Sequence, residues 1–231
     1  MRILITGAGR AIGAATAAEL SARSHDVVAT ARNLEALDSV EAARRLVMDV
    51  RDVESVKTAL EQAGELDGVV NNAAVSSSGP LEDFPIDELS RLFDTNILGP
   101  LRLVQAVAPS WRERGHGVIV NVSSIQGRVS PPLGGPYAAS KHALEALSET
   151  MHYELSHFGI RTVIVEPGYT APGSSRGPPP RPSCIHRPVG AVGRDRHEAQ
   201  RTRRPARTRV GRDRNRRCDR GSDDTTSGSG G

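Results

Sequence analysis

Six short runs rich in valine, isoleucine and leucine, each separated from the next by a longer stretch of helical pattern, restrict this chain to one kind of architecture. The runs fall at residues 2–6, 26–31, 45–49, 68–71, 117–123 and 161–166, and the helical stretches at 11–24, 34–43, 53–63, 86–112 and 137–157. Little alternation within a run implies strands buried on both faces. Strands alternating with helices imply a parallel sheet covered by helices. With right-handed crossovers the simplest result is a doubly wound α/β sheet, three layers deep, in the strand order 3-2-1-4-5-6.

Beyond residue 172 neither period survives. Residues 171–231 hold 15 Arg against 6 acids, and Gly, Pro and Arg make up 31 of those 61 residues, so the pattern divides the chain into a folded part, 1–172, and a disordered tail, 173–231. Residues 1–170 have the opposite balance, 15 Lys and Arg against 21 acids, and contain all seven aromatic residues. The basic tail suits a phosphate backbone, but it lacks aromatics and any reading module, so specific nucleic-acid binding is not expected. Cys184 and Cys218 make neither a disulfide framework nor a metal-ligand cluster, and no metal is expected. No apolar run reaches the ~18 residues of a membrane span. The first residues run straight into a glycine-rich turn without a signal-peptide core, so a cytoplasmic, membrane-free protein is expected.

Two groups of residues carry chemistry. Thr6-Gly-Ala-Gly-Arg-Ala-Ile-Gly13 lies between the first strand and the first helix, where glycines let a backbone approach a pyrophosphate and a helix N-terminus offers free N–H donors. At the end of strand two an acid would hold a ribose 2′-hydroxyl. Thr30-Ala-Arg32 has none, and Arg32 with Arg10 could instead pair with a 2′-phosphate, which favours NADP(H) over NAD(H). The second group is Tyr137 and Lys141, four residues apart on one helix face. An ammonium near a phenol favours phenolate and lowers its pKa toward a usable acid/base. Ser124, 13 residues earlier, ends strand five at the sheet edge where ligands bind.

In combination these segments resemble the short-chain dehydrogenase/reductase family. Thr6, Gly7 and Gly13 match its T-G-x-x-x-G-x-G turn, with Ala11 in place of the middle glycine, where a methyl would crowd the phosphates or the backbone. Arg10 stands where the extended branch of the family has glycine. Met48-Asp-Val50 and Asn71-Asn-Ala-Ala74 resemble the ends of its third and fourth strands, Ala74 replacing a glycine. Phe93-Asp-Thr-Asn-Ile-Leu-Gly99 and Val165-Glu-Pro-Gly-Tyr-Thr170 resemble its helix-four asparagine and its Pro-Gly turn.

The resemblance runs from about residue 2 to 171 and implies a Rossmann-like fold with reversible hydride transfer between a nicotinamide and an alcohol or carbonyl. It implies a catalytic set of Asn96, Ser124, Tyr137 and Lys141. Tyr137 would be the general acid/base, Ser124 would polarise the substrate oxygen, Lys141 would also hold the ribose, and the Asn96 carbonyl would link Lys141 to solvent through a water. Implied cofactor contacts are Thr6, Gly7, Arg10, Ile12 and Gly13 in the turn and Arg32 after strand two. Asp49 would hold the adenine amine, beside Val50, with Asn72, Ala73 and Ala74 after strand four. Tyr137, Lys141, Pro167, Gly168 and Thr170 complete the set. Pairing of copies through the family's fourth and fifth helices, here 86–112 and 137–157, is the oligomer the resemblance offers. The family's seventh strand and substrate lid have no match here, so strand six is expected to be an exposed edge. The alternative function is therefore a cofactor-binding protein with impaired or no catalysis. The tail's composition is what a shifted frame of a GC-rich gene would encode, a natural basic extension being the other reading.

Overall fold

The computed structural model describes residues 1–168 and the strand Ile185–Pro188. The apolar runs become β1 (Arg2–Ile5), β2 (Asp26–Ala31), β3 (Arg44–Val47), β4 (Gly68–Asn71), β5 (Gly117–Val122) and β6 (Ile160–Glu166). They form one parallel sheet in the order 3-2-1-4-5-6, a Rossmann-like arrangement. The order reverses between β1 and β4, so a crevice opens beyond their carboxyl ends.

Strand period 2 sends neighbouring residues to opposite faces. Leu4 and Val28 join one apolar cluster with α2 (Val53–Ala63), α4 (Gly99–Arg114) and α5 (Gly135–Leu155). Ile5, Val27 and Ala29 join another beneath α1 (Ala11–Ala22). Each fully buried Leu or Ile in these clusters contributes about 1.5–3 kcal/mol. Among the described residues, no helix is long and apolar enough to cross a membrane.

Four expectations are corrected. Strand β6 is not a bare edge: β7 (Ile185–Pro188) pairs antiparallel with Val163–Glu166, beside the six parallel strands. The helix expected at 34–43 shrinks to a 3-10 turn at Glu35–Leu37, because only Leu37 and Val40 are buried there and Asn33 caps the turn by accepting from Ala36 N. The helix expected at 86–112 is α3 (Ile86–Phe93), a π-helical turn (Asp94–Leu98), then α4. β3 is not buried on both faces. It is the opposite edge, three of its four residues exposed, and the arginines there discourage edge pairing. The tail beyond β7 lies outside the described residues.

Candidate active site

The glycine turn is pinned from the neighbouring strand. Thr6 Oγ1, buried at the end of β1, accepts from the backbone N–H of Asn72 (3.0 Å) and Ala73 (2.8 Å). The Asn72 amide donates back to the carbonyls of Thr6 (2.9 Å) and Gly7 (3.0 Å). Gly7 turns with φ +63°, and a Cβ on it would stand 2.9 Å from Ala73 Cα. A Cβ on Gly13 would stand 2.4 Å from the Gly7 carbonyl oxygen, so α1 starts against the turn itself. Thr6 and Asn72 thus shape the turn, while Ile12 is half-buried on the first turn of α1 and Ala74 is exposed.

The N-terminus of α1 has no acid in its first turn, and Arg10 at the N-cap provides no side-chain cap. Free N–H donors at a positive dipole end, with a cation alongside, fit an anionic pyrophosphate. Ala11, where the family has glycine, adopts φ 47°. A non-glycine residue there is strained. Ala11→Gly is expected to stabilise the fold by about 1 kcal/mol, raising Tm by about 2–4 °C in a thermal melt; an unchanged or lower Tm would show that Ala11 is unstrained.

At the end of β2 Ala31 is buried and Arg32 exposed, as is Arg10 at the start of α1. Among the described residues neither arginine has an ion-pair partner. Asp49 is not free: Arg51 donates to it from Nη2 (2.7 Å), Nε (3.1 Å) and its backbone N–H (3.0 Å). Hydrogen bonds from the Arg51 side chain hold the Asp49 carboxyl below its ordinary value, against the cost of burial, with a smaller contribution from the Arg32 charge. An adenine amine would share that carboxylate with Arg51. Val50 is a core residue whose side chain faces Gly99 at the start of α4.

Ser124 follows β5 and caps the short turn Ile125–Gly127, its hydroxyl accepting from Gln126 N. Its side chain is close enough to the Tyr137 phenol to draw the phenol's pKa down. Tyr137 and Lys141 lie on the first turns of α5, the Lys141 Nζ 5.6 Å from the centre of the Tyr137 ring. Lys141 is buried and donates to the Val122 carbonyl (2.8 Å). Asn96 sits in the π turn, where the wider coil suits a functional position. Its amide exchanges hydrogen bonds with the Val75 backbone and donates to Ser140 Oγ, which in turn donates to the Tyr137 carbonyl. Asn96 therefore anchors the loop after β4 to the start of α5.

One electrostatic expectation is corrected. Burial pushes the Tyr137 phenol up, and the Ser124 side chain draws it back only in part. Burial outweighs any stabilisation of the phenolate by Lys141, whose own ammonium is pulled down to about 8 by burial while Glu145 pushes it back up. At neutral pH the phenol holds its proton and Lys141 is mostly charged.

The Pro-Gly turn lies beside the serine. Ser123 N donates to Val165 O (2.7 Å) and Ile125 N to Pro167 O (2.9 Å). Pro167 and Gly168 close the described segment; Thr170 lies outside the described residues. Sequence reasoning missed Asn121, whose side chain accepts from Asn71 and donates to Ser148 inside the core. It also missed Ser140, and Arg128 with Glu145 and Glu166, of which Glu145 continues the 137–141 stripe by one more turn. Among the described residues no group of three or more His, Cys, Asp or Glu could hold a metal ion.

A glycine-rich turn after β1 and a Ser–Tyr–Lys group after β5 both lie at the carboxyl edge of this parallel sheet. The family model for short chain dehydrogenases matches residues 1–177, and the chain belongs to that family. It is 38% identical over 170 residues to a 3-ketodihydrosphingosine reductase of Bacteroides thetaiotaomicron, a match covering 72% of this chain and 62% of that protein. A short-chain dehydrogenase from Streptomyces avermitilis superposes with a TM-score of 0.71 at 38% identity, over 76% of this chain and 68% of that one. A gluconate 5-dehydrogenase from Burkholderia cenocepacia, in complex with NADP and tartrate, superposes with a TM-score of 0.67 at 33% identity, over 73% and 71%. The chain spans about three-fifths of the length of the curated relatives it matches.

Proposed function

We propose that this chain is an NADP(H)-preferring oxidoreductase that exchanges hydride between the nicotinamide and an alcohol or carbonyl substrate, with Tyr137 as general acid/base. The observation that carries the reading is the meeting of Ser124, Tyr137 and Lys141 at the carboxyl end of β5, beside the Pro167–Gly168 turn. The family membership supports it, and the NADP in the Burkholderia neighbour supports a nucleotide in this fold.

The residues divide the work. Thr6, Gly7, Gly13 and the α1 N-terminus would hold the pyrophosphate, with Arg10 and Arg32 on a 2′-phosphate and Asp49 near the adenine. The nicotinamide supplies the hydride when bound. In reduction Tyr137 delivers its proton to the substrate oxygen, and Ser124 donates a hydrogen bond to that oxygen as negative charge develops there. The Lys141 charge stabilises the phenolate left behind and serves the ribose. The Asn96 carbonyl is the proposed start of the proton path to solvent. A cytoplasmic location and pairing of copies through the helices at 86–112 and 137–157 belong to the same reading and rest on sequence and family likeness.

The test is a fluorescence titration with NADPH alongside a screen of aliphatic, cyclic and aromatic carbonyls for NADPH oxidation. The reading expects saturable binding and turnover of at least one carbonyl class. Saturable binding with no turnover anywhere would favour the cofactor-binding alternative.

A further inference from the structure

Arg128 comes directly after the turn that Ser124 caps. Its Nη2 stands 2.8 Å from Glu145 Oε2 and 2.8 Å from Glu166 Oε1, and its Nε donates to Glu166 Oε1 at 3.0 Å. Both acids are buried, their side chains 5% and 4% exposed. Glu145 lies one helical turn beyond Lys141 on α5, and Glu166 ends β6 just ahead of Pro167–Gly168. Gly127 leaves room for this: a Cβ there would meet Ser123 Oγ at 2.8 Å and Glu145 Oε1 at 2.9 Å.

A buried ion triad is weak evidence for stability, because neutral side chains of similar volume commonly replace one at little cost. Its position is more informative. One guanidinium joins the serine turn, the tyrosine–lysine helix and the Pro-Gly turn, three segments distant in sequence and each carrying part of the site. We propose that Arg128 is a positioning residue for the reaction described above, its two ion pairs holding the Ser124 turn, the Lys141 helix and the Pro167–Gly168 turn in one register. The inference rests on the functional reading for its purpose, and on geometry for its existence.

The triad is also electrostatically joined to the site. Glu145 pushes Lys141 up against burial. Burial pushes Glu145 up as well, opposed by the Ser123 hydroxyl and the Arg128 charge, with Glu166 and Glu149 adding to the upward push. Lys141, Arg128, Glu149 and Glu166 are the charged groups facing Glu145.

Lys57 and Lys141 are the only lysines in the chain, so protein carrying 13C at the lysine ε-carbon gives two titrating NMR signals, one of them reporting on the site. The variant is the neutral triple replacement Arg128→Met, Glu145→Gln and Glu166→Gln in the full chain, which removes the three charges of the triad together and leaves Lys141 without the Glu145 carboxylate. The expected result is a retained thermal transition, a Lys141 midpoint lowered from about 8 by roughly one unit, and a kcat reduced about ten- to a hundredfold with a smaller change in KM. Arg128→Lys keeps the charge but gives up the second donor, Nε, that fixes the guanidinium on Glu166, so it should restore the midpoint more fully than kcat. An unchanged midpoint with unchanged kcat would make the triad purely structural and overturn the proposal. If the triple variant does not fold, Glu145→Gln alone carries the same two readouts. If the parent protein reduces no carbonyl, the functional reading fails on that result. The triad is then decided by the Lys141 midpoint, a lowered value supporting its coupling to the site and an unchanged one overturning it.

Discussion

Tyr137→Phe is expected to lower carbonyl reduction about a thousandfold, within the range that general acid catalysis contributes. The substitution keeps the ring that packs beside Lys141 and removes only the phenol oxygen, so NADPH affinity should change little. Burial at the site sets the pH dependence. The phenol is raised above its ordinary value and holds its proton throughout the neutral range, the form that reduction requires. Lys141 loses its charge as pH passes about 8, and with it the stabilisation of the phenolate. The reductive rate should therefore be level below about pH 8 and fall above it. Lys141→Ala should weaken both turnover and cofactor binding. The account of the mechanism fails if Tyr137→Phe retains most of the parent rate.

The second large effect concerns the cofactor. Ala31→Asp should reverse a preference for NADPH over NADH, because it puts a carboxylate beside the ribose end of the site, where Arg32 and Arg10 now leave the field positive. A charge-assisted hydrogen bond contributes about 1.5–3 kcal/mol, so each affinity should move roughly ten- to a hundredfold, in opposite directions. Asp49 does not already supply that carboxylate, because Arg51 binds both of its oxygens. Isothermal titration at moderate salt, with both cofactors and both proteins, reads the effect. Equal affinities of the parent protein for the two cofactors would remove the basis for the arginine pair.

The sheet was legible in the sequence because parallel strands buried on both faces appear as uninterrupted apolar runs. β2 and β4 match the expected bounds residue for residue, and the six-strand order follows from the crossovers. The misses have local causes. Leu37 and Val40 look like the start of an amphipathic helix, but two buried residues three apart cover only one turn. The π turn around Asn96 leaves no mark in a helical pattern, because the side-chain hydrogen bonds to Val75 and Ser140 join residues far apart in sequence. β7 is a four-residue segment with isoleucine as its one aliphatic member, in a stretch of Arg, Pro and Gly, and it carries no strand signal of its own.

For the site, sequence spacing found the reactive group and missed what surrounds it. Tyr137, Lys141 and Ser124 are recognisable because their chemistry needs those residue types at those spacings. Their electrostatics were not recognisable. The phenol was expected to be lowered by Lys141 and is raised by burial, a property of how α5 packs on β6 and on the Ile125–Gly127 turn. Arg128 looks like a surface charge in sequence. Only the fold shows that it reaches two buried acids from different elements.

The most direct test of the central claim is transfer of deuterium from NADPH labelled at C4 of the nicotinamide to a carbonyl substrate, followed by mass spectrometry of the alcohol. The account predicts product carrying one deuterium on the carbinol carbon with the parent protein, and product reduced about a thousandfold with Tyr137→Phe. NADPH that binds saturably yet passes no deuterium to any carbonyl in the panel would contradict it.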